Sequence, residues 1–181
     1  MEIIKSPLQG CYLFNEKVIE DNRGYFLETY NYHFIKEKIN LEHFVQENES
    51  FSLKKVIRGM HYQEEPYSQS KIIRVLFGKI WDIVIDLRPD SSSYLSSFGV
   101  ELSHENRKQL FIPAGFAHGF AVTSEFARVI YKANKPYMPQ LERGISPFDP
   151  HFKLKWPFSK HDSILSEKDL SWPVFKYDEK Q

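Results

Sequence analysis

This sequence has one cysteine, no excess of either charge and no long apolar run. Cys11 is the only cysteine among 181 residues, so no disulfide can form within the chain, which is typical of a reducing compartment. The 24 basic residues balance the 24 acidic ones without a dense basic stripe, and this argues against a nucleic-acid partner. The most apolar run, IWDIVIDL, is interrupted by Asp82 and Asp86, and the N-terminus MEIIKSPLQGCYLF lacks the basic region and apolar block of a signal peptide. We therefore expect a cytoplasmic protein that spans no membrane.

The chain is instead rich in short strand-like runs separated by turn signals. Its length and its 41% hydrophobic content are enough for one well-filled domain, which we expect to span residues 1–181. The spacing of the runs predicts an all-β sandwich or barrel. The predicted strands are Cys11–Val18, Tyr25–Tyr30, Phe44–Ser50, Lys55–Tyr62, Ile72–Phe77, Ile80–Leu87, Tyr94–Leu102, Gln109–Ile112, His118–Thr123 and Arg128–Lys132. One short helix is predicted at Tyr32–Ile39, and a second is predicted to open at Ser166, where Ser166 and Asp169 have the spacing of a capping box.

The predicted strand Ile80–Leu87 carries carboxylates on one of its two faces. Alternation places Trp81, Ile83, Ile85 and Leu87 on one side, and Ile80, Asp82, Val84 and Asp86 on the other. The second face could line a polar cavity inside a barrel. Taken alone, the pattern favours exposure of these carboxylates to solvent.

Two histidines stand in motifs that need an explanation, His61 in VIRGMHYQ and His118 in FIPAGFAHGFAV. The spacing Pro-x-Gly-x-x-His of the second resembles half of the cupin metal-binding signature. The other half requires His-x-His, and Tyr62 and Gln63 follow His61 instead. Zinc and iron sites need about three protein ligands, so we expect a cupin-like barrel with no metal.

The residues alone leave His61 open between a catalytic base and a packed core histidine. The neighbouring predicted strands carry more polar and cationic groups than a closed core can satisfy, namely Arg58, Lys71, Arg74, His118, Tyr131 and Lys132. They suggest a cavity for an anionic ligand with proton-transfer chemistry.

Seven motifs in order resemble the dTDP-4-dehydrorhamnose 3,5-epimerase family. They are EDNRGYFLETY, VQENES, VIRGMHYQ, SKIIRVLFGKIWDIVIDLRPDS, PAGFAHGF, the pair Tyr131-Lys132 with Tyr137, and ILSEKD. The resemblance runs from about Gly10 to Asp169. It implies a cupin-like double-stranded β-helix, a jelly-roll barrel with one or two short helices and no metal or other cofactor. It also implies a homodimer with exchanged N-terminal strands and a dTDP-sugar as substrate.

The reaction implied by the resemblance inverts carbons 3 and 5 of dTDP-4-dehydro-6-deoxy-glucose, both of which flank the carbon 4 ketone. Inversion of only one carbon, or of a related 4-keto sugar, remains an alternative, as do a non-catalytic nucleotide-sugar-binding barrel and a metal-dependent cupin. The resemblance assigns His61 as base, Asp169 as the acceptor that orients it, Tyr131 as proton donor and Lys71 as enolate stabiliser. The residues expected to contact substrate are Arg23, Glu28, Gln46, Glu47, Asn48, Arg58, Lys71, His118, Tyr137, Glu142 and Lys168. Among these, Arg23 and Arg58 would grip the diphosphate, Tyr137 would stack on the thymine, and Arg23 and Glu28 would reach a neighbouring subunit's site.

Two features depart from this scheme. Strict alternation puts Arg58 and His61 on opposite faces of one strand, and a bulge at Gly59 between them would be needed to aim both at one ligand. Glu49 stands where the family commonly has histidine, and Pro147 where it has an aromatic residue. These two positions leave the exact sugar open.

Overall fold

The computed structural model describes residues 1–39 and 41–176, which form two antiparallel β-sheets that face each other. The strands are numbered β1 to β13 in chain order. The six-stranded sheet contains, in spatial order, β1 (Glu2–Lys5), β2 (Tyr12–Asn15), β10 (Gln109–Ile112), β7 (Lys71–Phe77), β12 (Phe126–Ala133) and β5 (Gln46–Leu53). The five-stranded sheet contains β13 (Glu142–Gly144), β6 (Ile57–Gln63), β11 (Phe116–Val122), β8 (Lys79–Asp86) and β9 (Ser97–Ser103).

The remaining elements lie outside these sheets. Strands β3 (Val18–Asp21) and β4 (Gly24–Leu27) form a separate hairpin. Helix α1 (Tyr32–Lys38) is capped by Asn31, whose side chain accepts from the amide of Phe34. Helix α2 is Glu167–Ser171, and a single 3₁₀ turn spans Pro139–Leu141. The predicted helix at Tyr32–Ile39 and the helix opening at Ser166 are both confirmed.

Within residues 1–39 and 41–176, the apolar core divides into three clusters around the two sheets. Between the sheets, Ile73 and Val75 of β7 meet Val84 of β8 and Val122 of β11. Helix α1 covers a second cluster that includes Phe14 and Phe111. The C-terminal segment, with Phe152, Leu154, Trp156 and Phe175, covers a third cluster around Met60, Ile83 and Ile85. The outer faces of both sheets are therefore partly covered by apolar side chains.

The expected exposure of the Asp82 and Asp86 face is wrong. The two faces of β8 are assigned correctly, since Ile83 and Ile85 pack outside the sheet and Ile80 and Val84 pack between the sheets. However, both aspartate side chains are completely buried. Asp82 is bonded to His118, and Asp86 accepts hydrogen bonds from Arg88, Ser91 and Ser93. These hydrogen bonds offset the cost of burying the two carboxylates. The alternation of residues within one strand does not reveal such partners.

Strand prediction fails mainly near the N-terminus. The predicted strand Cys11–Val18 is too long, because β2 ends at Asn15 and Val18 is the first residue of a separate strand, β3. Between them the Glu16 side chain is buried and accepts from Gln109 Nε2 at 2.6 Å. This long-range bond has no local sequence signal. The short strands β1 and β13 were not predicted, whereas Gln109–Ile112 was predicted to the residue.

Candidate active site

A cavity of 330 Å³ opens between the two sheets. Most of the predicted site residues line it, namely Gln46, Asn48, Arg58, His61, Lys71, His118, Tyr131, Tyr137 and Glu142. His61 and His118 come from the five-stranded sheet, whereas Lys71 and Tyr131 come from the six-stranded sheet. A ligand in this cavity would therefore meet histidines on one side and Tyr131 on the other.

Gly59 lets Arg58 and His61 reach the same cavity. His61 pairs with His118 across the sheet, Arg58 pairs with Phe120, and the register shifts between these pairs. Gly59 has φ +124°, and a Cβ atom there would lie 2.6 Å from the Cα of Gly119. Only glycine fits this close approach of two strands. The predicted bulge is confirmed, and the guanidinium of Arg58 is held by Ser52, which accepts from its Nε at 2.9 Å.

Helix α2 brings a carboxylate to His61. The Nε2 atom of His61 lies 2.5 Å from Oδ1 of Asp169, whose side chain is almost fully buried. Ser166 caps the helix by accepting from the Asp169 amide, and its hydroxyl donates to Oδ2 of Asp169 at 2.9 Å. Burial raises the pKa of Asp169, but the hydrogen bonds from His61 and Ser166 outweigh it and bring the pKa below its ordinary value. An ionised Asp169 can only accept, so Nε2–H of His61 is the donor in this bond.

A second histidine–aspartate pair lies beside the first, and sequence reasoning missed its carboxylate. His118 Nε2 lies 3.0 and 2.9 Å from the two carboxylate oxygens of Asp82. Burial raises the pKa of Asp82, against the opposing effects of His118 and Lys71. The sequence contained one indication of a role for Asp82, the polar face of β8, but the pattern favoured exposure of that face to solvent.

Lys71 and Tyr131 occupy the opposite wall. The Lys71 ammonium lies 6.0 Å from the centre of the Tyr131 ring. Burial lowers the pKa of Lys71, although Glu142 and Asp82 oppose this change. Burial also raises the pKa of Tyr131, so its phenol stays protonated at neutral pH. The cavity thus holds a neutral phenol and the amine of Lys71 on the wall across from His61.

At the cavity mouth, two side chains donate to one oxygen of Glu142. The donors are the hydroxyl of Tyr137 and the ammonium of Lys168. Burial raises the pKa of Glu142, but these bonds and the charge of Lys168 lower it below its ordinary value. The backbone of Tyr137 also donates to Gln46, which in turn donates to Asn48 at 3.0 Å. Tyr137 remains 46% exposed, so its ring is available to a planar ligand.

Three predicted residues lie away from this cavity. Arg23 is exposed on the β3–β4 hairpin and pairs with Asp21, while Glu28 accepts from Asn31. Glu47 lies on the opposite face of β5 from Gln46 and Asn48, where it pairs with Lys132 and lines a separate cavity. Strand alternation explains its position, so the structure does not bring Glu47 to the ligand as expected.

The two departures from the family pattern also lie outside the cavity. Glu49 forms an ion pair with Arg128 in which Nη2 lies 2.8 Å from both carboxylate oxygens. The carbonyl of Pro147 accepts from Trp156 Nε1 at 2.6 Å.

Over residues 1–39 and 41–176, no three histidine, cysteine, aspartate or glutamate side chains are grouped so as to hold a metal ion.

Comparison with known proteins decides the family. The family model for dTDP-4-dehydrorhamnose 3,5-epimerase matches residues 5–177. The dTDP-4-dehydrorhamnose 3,5-epimerase of Methanothermobacter thermautotrophicus is 44% identical over 170 residues, which cover 93% of this chain and 91% of that protein. The chain belongs to the dTDP-4-dehydrorhamnose 3,5-epimerase family. The prediction of an epimerase-type isomerase is thereby confirmed.

Solved structures of this epimerase family have the same fold. The crystal structure of the enzyme from Elizabethkingia anophelis matches with a TM-score of 0.94 at 41% identity, covering 97% of this chain and 96% of that one. The enzyme from Legionella pneumophila, in complex with dTDP-4-keto-L-rhamnose, matches with a TM-score of 0.91 at 36% identity, covering 96% and 92%. The predicted cupin-like jelly roll is confirmed.

No helix within the described part of the chain is both long and apolar enough to cross a membrane.

Proposed function

We propose that this chain inverts carbons 3 and 5 of dTDP-4-dehydro-6-deoxy-glucose to give dTDP-4-dehydro-L-rhamnose. The observation that carries the proposal is the placement of His61, bonded to Asp169, and Tyr131 on opposite walls of one cavity. The Legionella relative crystallised with dTDP-4-keto-L-rhamnose supports this choice of ligand. The proposed location is the cytoplasm, in keeping with a chain whose single cysteine forms no disulfide.

His61 acts as the base in this proposal. A carbon–hydrogen bond next to a ketone is weakly acidic, and the free Nδ1 of His61 accepts its proton. Asp169 holds the ring in the tautomer that exposes Nδ1 and stabilises the imidazolium that forms. A positioned base of this kind contributes roughly 10²–10⁴-fold in rate.

Removal of the proton leaves negative charge on the carbon 4 oxygen, and Lys71 stabilises that enolate. One such donor is worth about 3 kcal/mol in a preorganised site. Tyr131 then donates its phenolic proton to the opposite face of the carbon, which inverts it. Both His61 and Tyr131 exchange protons with solvent before the next step, so the reaction is balanced without a cofactor.

The rest of the cavity binds the nucleotide. Arg58 suits the diphosphate because its planar guanidinium can hold two phosphate oxygens at once. Tyr137 stacks on the thymine at the cavity mouth. The remaining polar residues, Gln46, Asn48, His118, Glu142 and Lys168, contact the nucleotide or sugar.

The test of this function is proton exchange with solvent. Incubation of the 4-keto sugar nucleotide with the protein in deuterated water should introduce deuterium at carbons 3 and 5, read by NMR. Label at one carbon alone would establish a mono-epimerase instead. Tight binding of the nucleotide without any label would establish a non-catalytic binding protein.

We further propose a homodimer in which the N-terminal strands β3 and β4 cross to the partner. These strands form a hairpin outside the two large sheets, and it exposes Ile19, Tyr25 and Phe26. Exposed apolar side chains of this size suit a protein interface. The exchange would carry Arg23 and Glu28 to the second subunit's cavity, where Arg23 would grip the diphosphate.

Mixed dimers test the exchange. Arg23→Ala and His61→Ala homodimers should each have low activity, and mixing the subunits should restore a site that carries both residues. Activity that never rises on mixing would contradict the exchange. Light scattering of the unmixed protein checks the dimer itself.

A further inference from the structure

One of the two strand neighbours of His61 is a glycine, and a tryptophan fills the space that the glycine leaves. Gly144 of β13 pairs directly with His61 of β6. Residues directly opposite in an antiparallel pair project to the same face of the sheet. A Cβ atom on Gly144 would lie 2.3 Å from Cδ2 and 2.4 Å from Cε2 of Trp172. The indole therefore lies where a side chain at position 144 would otherwise stand beside the His61 imidazole.

Trp172 also contacts the imidazole itself. The two ring centres are 6.0 Å apart and the planes meet at 68°, which is the edge-to-face arrangement that aromatic rings favour. Trp172 directly follows helix α2 and is its C-cap residue, three positions after Asp169. One short helical segment thus delivers both the carboxylate that bonds Nε2 and the ring that lies against the imidazole.

These two contacts restrain different motions of His61. The bond to Asp169 fixes one nitrogen atom but leaves the ring plane free to turn about that bond. An indole against the ring limits this rotation. On its other side, His61 has His118 as strand neighbour, and His118 is itself held by Asp82. His61 is therefore flanked on both sides in the sheet.

We propose that Trp172 is a positioning residue that holds the His61 imidazole with Nε2 on Asp169 and Nδ1 towards the cavity. The inference rests on the proposed function for its catalytic consequence. Trp172 also keeps water from the hydrogen bond between His61 and Asp169. The Asp169 side chain is only 5% exposed. Gly144 has the complementary role, because its missing side chain makes room for the indole.

The chain offers a matched control for this pairing. Gly99 packs against Trp81, where a Cβ atom would lie 2.8 Å from Cζ2 of the indole. Trp81 belongs to the apolar cluster on the outer face of the five-stranded sheet. Neither glycine has the positive φ that would strain an alanine. Gly144→Ala and Gly99→Ala therefore both displace an indole, but only Gly144→Ala displaces the one beside His61.

The test uses protein labelled with ¹⁵N-histidine and follows the His61 Nε2 proton by NMR in the absence of substrate. In the parent protein this proton should be visible as a downfield signal protected from water. Trp172→Ala and Gly144→Ala should broaden or abolish it, Trp172→Phe should retain it, and Gly99→Ala should leave it unchanged. Turnover should follow the same order, with kcat about 10- to 100-fold lower in Trp172→Ala and Gly144→Ala and KM nearly unchanged.

Three results would overturn the inference. The first is an unchanged signal and kcat in Trp172→Ala. The second is an equal loss in Gly99→Ala, which would indicate general destabilisation. The third, used if Trp172→Ala does not fold, is a Gly144→Ala variant that matches Gly99→Ala in signal and kcat. If the parent protein fails to exchange substrate protons, the proposed function fails, while the proton signal still reports whether Trp172 positions His61.

Discussion

Replacing Asp86 by asparagine should destabilise the fold by roughly 2–4 kcal/mol at pH 7. The Asp86 side chain is fully buried and accepts five hydrogen bonds. Two come from the Arg88 side chain, one from the Arg88 amide, and one each from Ser91 and Ser93. An asparagine has one acceptor oxygen in place of two, and its amide group would face donors.

The magnitude follows from the pKa of this carboxyl. Burial alone raises the pKa of Asp86, but the hydrogen bonds outweigh burial and hold it at about 2. The gap from the roughly 3.9 of an unfolded aspartate corresponds to about 2.5 kcal/mol of stability. Because the folded pKa is depressed, this contribution is complete above about pH 4 and is lost as the pH falls towards 2.

Urea unfolding of Asp86→Asn and the parent protein at a series of pH values measures this effect. The difference in free energy of unfolding should be largest at pH 7 and should shrink between pH 4 and pH 2. Asp90→Asn is the control, since Asp90 is exposed and four positions away. A stability difference below about 0.5 kcal/mol at pH 7, the usual range for surface substitutions, would refute the reasoning.

Two further predictions concern Lys71 and Cys11. Because burial lowers the pKa of Lys71, the folded state disfavours the charge of its amine. Lys71→Met should therefore raise the urea midpoint at pH 7, and this gain in stability should fade as the pH rises towards 10. The same variant should reduce kcat by about 10²–10³-fold. A less stable or fully active variant would contradict this role. Burial raises the pKa of Cys11 to about 12, so the native thiol should not react with a disulfide reagent at pH 8 while the urea-unfolded thiol reacts fully. Rapid labelling of the native protein would show that Cys11 is accessible.

Much of the barrel could be predicted because the sequence patterns that indicate its strands, turns and caps are local. The paired faces of β8, the turn before His118 and the Ser166 cap all depend on residues close together in sequence. The bulge at Gly59 was predictable for the same reason, since Arg58 and His61 could not otherwise reach one ligand. The family resemblance then supplied roles that spacing alone left open for His61.

The remaining features depend on contacts between distant parts of the chain. Asp82 is buried because His118, 36 positions later, bonds to it, and nothing in the strand around Asp82 indicates that partner. The contact of Trp172 with His61 spans an even greater separation and requires a glycine on a strand that was not predicted. Glu47 was expected at the ligand from its motif, although alternation along β5 already placed it opposite Gln46 and Asn48.

The central claim, that His61 and Tyr131 act on opposite faces of the sugar ring, is tested most directly by solvent exchange in single variants. His61→Ala should introduce no deuterium at carbon 3 or carbon 5. Tyr131→Phe should still exchange these protons with solvent but form much less inverted product. Equal loss of exchange and inversion in Tyr131→Phe, or exchange that persists in His61→Ala, would contradict the account.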